Sequence, residues 1–188
     1  SCRNEYGNGL TVETDVFCPF VGDLVVVRKR VSAPTSSVST ARLTFTYRFT
    51  PPGNDNKPPR RVTCDSSWND VDRRAEFRFQ ADAHRSCEGL VVVCADRAVS
   101  SAVNGQTAAL SVDLALAKGK ASEVTFCLLF ADSLDGQNYE ARLQNLQERV
   151  LREGFDGLFA AHRQSWGAYW AESYVRLPDA RLETAYNT

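Results

Sequence analysis

The hydrophobic period of this chain changes near Asp132, and that change limits its possible folds more than any other feature. Before it, Leu43, Phe45, Tyr47 and Phe49 alternate with Thr44, Thr46, Arg48 and Thr50, and a period of two puts the first set on one face of a strand. Ala75, Phe77 and Phe79 repeat the pattern, as do Leu110, Val112, Leu114 and Leu116. Leu24 to Val27 and Leu90 to Ala95 are continuous apolar runs, the pattern of strands buried on both faces. Val124, Phe126, Leu128 and Phe130 form the last such set, and with Cys127 and Leu129 apolar on the other side this strand is expected to be central. After Asp132 the period is helical: Tyr139, Leu143, Leu146 and Val150 share one stripe.

Turn chemistry divides the first part. Gly22-Asp23 separates a strand holding Leu10, Val12, Val16 and Phe17 from the run that begins at Leu24. Asn104-Gly105 predicts a hairpin with a type I′ turn, and Lys118-Gly119-Lys120 another reversal. Residues 51–73 read as a long loop, or a loop with one short edge strand, in which Trp68 is the one large apolar residue. Eight or so strands without intervening helices predict a mainly β chain, an antiparallel β-sandwich over residues 1–131. Residues 132–188 are expected to form a C-terminal helical linker, broken where Gly154 suits a helix end and Asp156 an N-cap. Pro178-Asp179 then reads as a stop and a fresh cap, with Leu182, Ala185 and Tyr186 opening another stripe.

With 188 residues and 43% hydrophobic content the chain can bury one good core. A net charge of -1, with Arg28-Lys29-Arg30, Arg60-Arg61 and Arg73-Arg74 offset by acids, makes no case for a nucleic-acid or anionic membrane partner. No apolar run approaches the roughly 18 residues of a membrane-spanning helix. The six cysteines lack the C-x2-C spacing and have just two histidines as co-ligands, so no metal site is expected and mostly free thiols are. The chain contains no methionine, which leads to the expectation of a piece of a longer polypeptide.

Few residues converge on chemistry. Asp179 and Glu183 lie four apart, but a capping aspartate and an exposed glutamate account for them better than a glycosidase pair. His84, near Asp82 and Cys87, fits a surface loop better than a triad or a ligand set. No catalytic residue is assigned, and no cofactor is expected. Trp68, flanked by Asp65 and Asn69, is a candidate sugar contact, since sugar C–H faces stack on indole; packing against the sandwich edge is the competing role. His162, Trp166, Tyr169 and Trp170 recur at helical spacing, and with Tyr186 they form a candidate packing face.

Residues 162–188 match the pattern H-x3-W-x2-[YF]-W-x2-S-x-[VI]-x-[LI]-x-D-x2-L-E-x2-Y-N through His162, Trp166, Tyr169, Trp170, Ser173, Val175, Leu177, Asp179, Leu182, Glu183, Tyr186 and Asn187. The stretch resembles the linker of glycoside hydrolases and sugar phosphorylases that join a large, supersandwich-like N-terminal β-sandwich to an (α/α)6 barrel. That resemblance implies a non-catalytic domain of a carbohydrate-active enzyme, whose partners are the downstream barrel of the same polypeptide and its oligosaccharide substrate. It also implies catalytic residues outside this chain, interdomain packing through the aromatic face, and a secreted or periplasmic location. Left without a barrel, so apolar a face is expected to self-associate, to fray after Trp170, or to fold the linker back on the sandwich. The alternative is a self-standing carbohydrate-binding or adhesion sandwich that uses its helices as a stalk.

Overall fold

A computed structural model describes residues 1–7, 9–19, 22–33, 40–50, 61–82, 87–136, 138–173, 178–179 and 181. Among these residues, ten strands precede one kinked helix: β1 (Cys2–Glu5), β2 (Thr11–Phe17), β3 (Leu24–Ser32), β4 (Thr40–Arg48), β5 (Arg61–Asn69), β6 (Arg74–Asp82), β7 (Cys87–Ala95), β8 (Ser100–Asn104), β9 (Thr107–Ala115), β10 (Ala121–Asp132) and α1 (Tyr139–Ser173). Seven strands form a large sheet in the order β1-β2-β3-β10-β7-β6-β5, and three form a small one, β4-β9-β8. All the pairings are antiparallel. The mainly β sandwich expected from the alternation is therefore present, and β10 is its central strand.

Two local expectations change. Asn104 pairs directly with Thr107, so the two-residue loop is Gly105-Gln106, with Gly105 at φ 55°. Arg73 is the one non-glycine with positive φ among the described residues, which leaves Gln106 negative; a glycine in the first loop position is the type II′ preference, in place of type I′. Where a loop or a short edge strand was expected, Arg61–Asn69 is a nine-residue edge strand. Its polar side chains satisfy the solvent face and its neighbour β6 supplies the pairing, so few apolar residues are needed.

Two cores share the large sheet. On its inner face Val12, Val31, Ala75, Phe77, Val91, Val93, Val124 and Phe126 meet Ala108, Leu110, Val112 and Leu114 of the small sheet. On its outer face Leu24, Val26, Leu90, Val92, Cys94, Cys127, Leu129 and Ala131 meet Leu143, Val150, Phe155 and Leu158 of α1. The chain passes from strand to helix after Asp132, whose carboxylate accepts from the Leu134 amide at 2.8 Å, yet the core does not divide there. The stripe predicted at Leu143 and Val150 is the third layer of the sandwich. Cys94 and Cys127 face each other across β7 and β10, and all six cysteines are unbridged. Their mutual hydrogen bond, with burial, holds the Cys127 thiol well above its ordinary pKa.

A buried polar network fixes the helix on the outer face. Arg74 donates to Glu76 at 2.7 Å and to the Gln147 side-chain oxygen at 2.7 Å, while Gln147 donates to the Asp72 carbonyl at 3.2 Å. Asn69 adds a bond to Glu76 at 3.1 Å, and Arg78 bridges Glu76 and Glu140. Arg74, Glu76 and Gln147 are all buried. Arg74 and Glu76 pair within β6 wherever the helix sits, but a misplaced helix would take Gln147 away from Arg74 and from the Asp72 carbonyl, leaving buried polar groups unmet at about 1–3 kcal/mol each.

Leu143→Ala is expected to destabilise the chain by about 2–5 kcal/mol, measured by urea denaturation, because it empties a fully buried site. Burial raises the pKa of Glu76, but hydrogen bonds from Arg74 and Asn69 and the charges of Arg74 and Arg78 outweigh it and lower the pKa below 4.5. A lowered carboxylate stabilises the fold above its unfolded pKa and loses that contribution as pH falls through the folded one. The denaturation midpoint should therefore drop below pH about 4.5, with a smaller drop in Glu76→Gln.

Candidate functional site: an aromatic helix face

The kink in α1 is at Gly154, whose φ of 62° and ψ of -175° interrupt the helix. That conformation suits glycine, and the break falls where the sequence places it. Beyond it the helix is held by Arg28 on β3. The guanidinium lies 3.6 Å from the Phe155 ring centroid, bonds Asp15 at 2.7 Å and reaches Asp156 at 3.1 Å. Arg28 thus joins a cation–π contact to a two-carboxylate bridge. Asp156, expected as a cap, serves here as the helix-side half of that bridge.

Phe17 at the end of β2 is the next contact. Its ring lies 5.2 Å from Phe155, 5.3 Å from Phe159 and 5.1 Å from His162. The steps 155, 159, 162, 166 and 170 keep one helix face, and the rings continue along it: His162 to Trp166 at 6.2 Å, then Trp166 to Trp170 at 6.1 Å and to Tyr169 at 5.5 Å. The near end of this ladder is seated on the sandwich and the far end is open, with Tyr169 45% and Trp170 40% exposed. His162 Nδ1 is buried and has no hydrogen-bond partner among the described residues, a cost of about 1–3 kcal/mol that an added partner would relieve.

The other predicted residues are separate from this face. Trp68 lies on β5, half-buried against the inner core, and its indole N–H donates to Asp70 at 2.8 Å. Asn69 is consumed by its own turn: its oxygen accepts from the Val71 and Asp72 amides and its nitrogen donates to Asp72 and Glu76. Asp65 is exposed on the same strand, opposite Arg78. Asp179 accepts from the Arg181 amide at 2.8 Å, as an N-cap would. His84, Glu183 and Tyr186 lie outside the described residues. No group of three or more potential metal ligands occurs among the described residues. Phe17, Arg28 and Asp15 were missed in sequence because a strand-end phenylalanine and an alternating charged pair have ordinary surface explanations.

No family model and no curated protein matches the chain. Among solved structures, its fold is similar to that of a chain assigned as a kojibiose phosphorylase from the human microbiome, with a TM-score of 0.55 and 10% identity. The match covers 86% of this chain and 21% of that one, so this chain spans about a fifth of its neighbour's length. At that identity the likeness is one of fold.

Sedimentation should detect self-association through the open end of the ladder. The double substitution Tyr169→Ser and Trp170→Ser is expected to suppress it while leaving the thermal midpoint nearly unchanged, since both side chains are exposed.

Proposed function

We propose that this chain is the non-catalytic N-terminal β-sandwich domain of a carbohydrate-active enzyme, joined by α1 to an (α/α)6 catalytic barrel in the same polypeptide. The observation that carries the proposal is the fold likeness, which takes in 86% of this chain but a fifth of a phosphorylase chain. The linker pattern from His162 to Asn187 supports the same assignment. In this role the sandwich is a rigid base: its outer face seats the first half of α1, Arg28 and Phe17 direct the second half, and His162, Trp166, Tyr169 and Trp170 pack against the barrel. Tyr186, further along the linker pattern, is assigned the same packing role from the sequence alone. Each large aromatic side chain buried there contributes about 1.5–3 kcal/mol, enough for a few of them to hold two domains together.

The role is tested on the whole reading frame. Expressed in full, the protein should hydrolyse or phosphorolyse α-linked disaccharides, with kojibiose the first substrate to try, and residues 1–188 alone should not. Trp166→Ala and Trp170→Ala in the full protein should lower its thermal midpoint and activity together. A reading frame with no helix-rich region after Thr188, or a full protein inert towards every disaccharide and glycan tried, would overturn the proposal.

A further inference from the structure

The two sheets do not cover each other evenly. Phe45 of β4 stacks on Phe126 of β10 at 5.0 Å, Tyr47 meets Phe77 of β6 edge-on at 5.0 Å, and Phe49 just past β4 stacks on Phe79 of β6 at 5.6 Å. The small sheet therefore crosses the large one diagonally, from β10 towards β6. Among the described residues, the diagonal leaves one corner of the inner face uncovered, where β3 begins and β10 ends. There the chain has a depression of about 520 Å³ lined by Val25 and Phe130 with Phe79 on the far side, and by Cys18, Asp23 and Asp132 around them.

Its construction is specific to the corner. Asp132, Gly89 and Phe79 occupy one rung across β10, β7 and β6. Gly89 has no side chain to fill the rung, and a Cβ there would collide with the end of the Phe79 ring, so the ring leans over β7. Phe130 and Phe79 are partly exposed, a carboxylate stands at each of two places around them, and Asp132 commits one oxygen to the Leu134 amide.

We propose that this corner is a binding subsite for a neutral pyranose. A pyranose has apolar C–H faces that an aromatic floor takes up and hydroxyl donors that carboxylates accept. The volume lies within the roughly 300–1,000 Å³ of small-molecule sites. Asp23 and Asp132 select against anionic sugars. The choice of a sugar over another neutral polyol rests on the carbohydrate role proposed above; the site itself rests on the corner's geometry.

Titration of the full chain with glucose, kojibiose and maltotriose, followed by backbone amide shifts, is expected to move Val25, Phe130 and Asp132 first. Asp23→Ala should weaken binding by about tenfold with no change in thermal midpoint, because Asp23 is exposed. Gly89→Ala, which displaces the Phe79 ring, should weaken it as well. Absence of any shift at the corner up to the solubility limit of the sugars would overturn the subsite, as would Asp23→Ala binding like the wild type or shifts centred on Trp68. Such a result would leave the proposed domain role standing, since that role is tested by the activity of the full reading frame.

Discussion

The structure depends on burying the large sheet on both faces. In β10 the inner residues Val124 and Phe126 and the outer residues Cys127 and Leu129 are all at most 2% exposed, and β7 repeats the pattern with Val91 and Val93 inside and Leu90, Val92 and Cys94 outside. A two-layer sandwich covers one of those faces. The other must be covered by something else, and α1 does so with Leu143, Val150, Phe155 and Leu158. Each such side chain contributes about 1.5–3 kcal/mol by leaving water, so the helix is part of the fold's stability.

Polar contacts decide where the helix sits. The apolar stripe alone would tolerate sliding by a turn, whereas the hydrogen bonds of Gln147 with Arg74 and with the Asp72 carbonyl exist at one register. Once the first half is set, Gly154 turns the chain and Arg28 receives the second half through Phe155 and Asp156. The direction of the aromatic ladder, and hence the place where a neighbouring domain would meet it, follows from these two fixings.

Much of this was legible in the residues. Strict alternation in β4 and β9 leaves one face more exposed than the other, whereas in β6 the polar residues Arg74 and Glu76 are buried as well, and the doubly apolar run in β10 required a central position, which it has. The ladder from His162 to Trp170 follows from helical spacing. Trp68 was harder: its polar neighbours suggest an exposed loop, yet pairing of β5 with β6 lays it against the inner core. Turn type was also beyond the dipeptide Asn104-Gly105, because the cross-strand register moved the loop on by one residue.

By itself, the sequence determined the class of the strongly periodic segments and the apolar face each would bury, since these depend on the period of side chains along a single element. It determined too where the helix breaks, because Gly154 answers a local backbone need. The tertiary structure decided which surface meets which: that the first half of α1 covers the sheet, that Arg74 and Glu76 on a strand are buried by a helix, and that a diagonal crossing leaves the corner at Phe130 and Asp132 open among the described residues. Those outcomes depend on the angle between sheets and on contacts between residues as distant as Arg28 and Asp156, and neither is encoded in any one stretch of the chain.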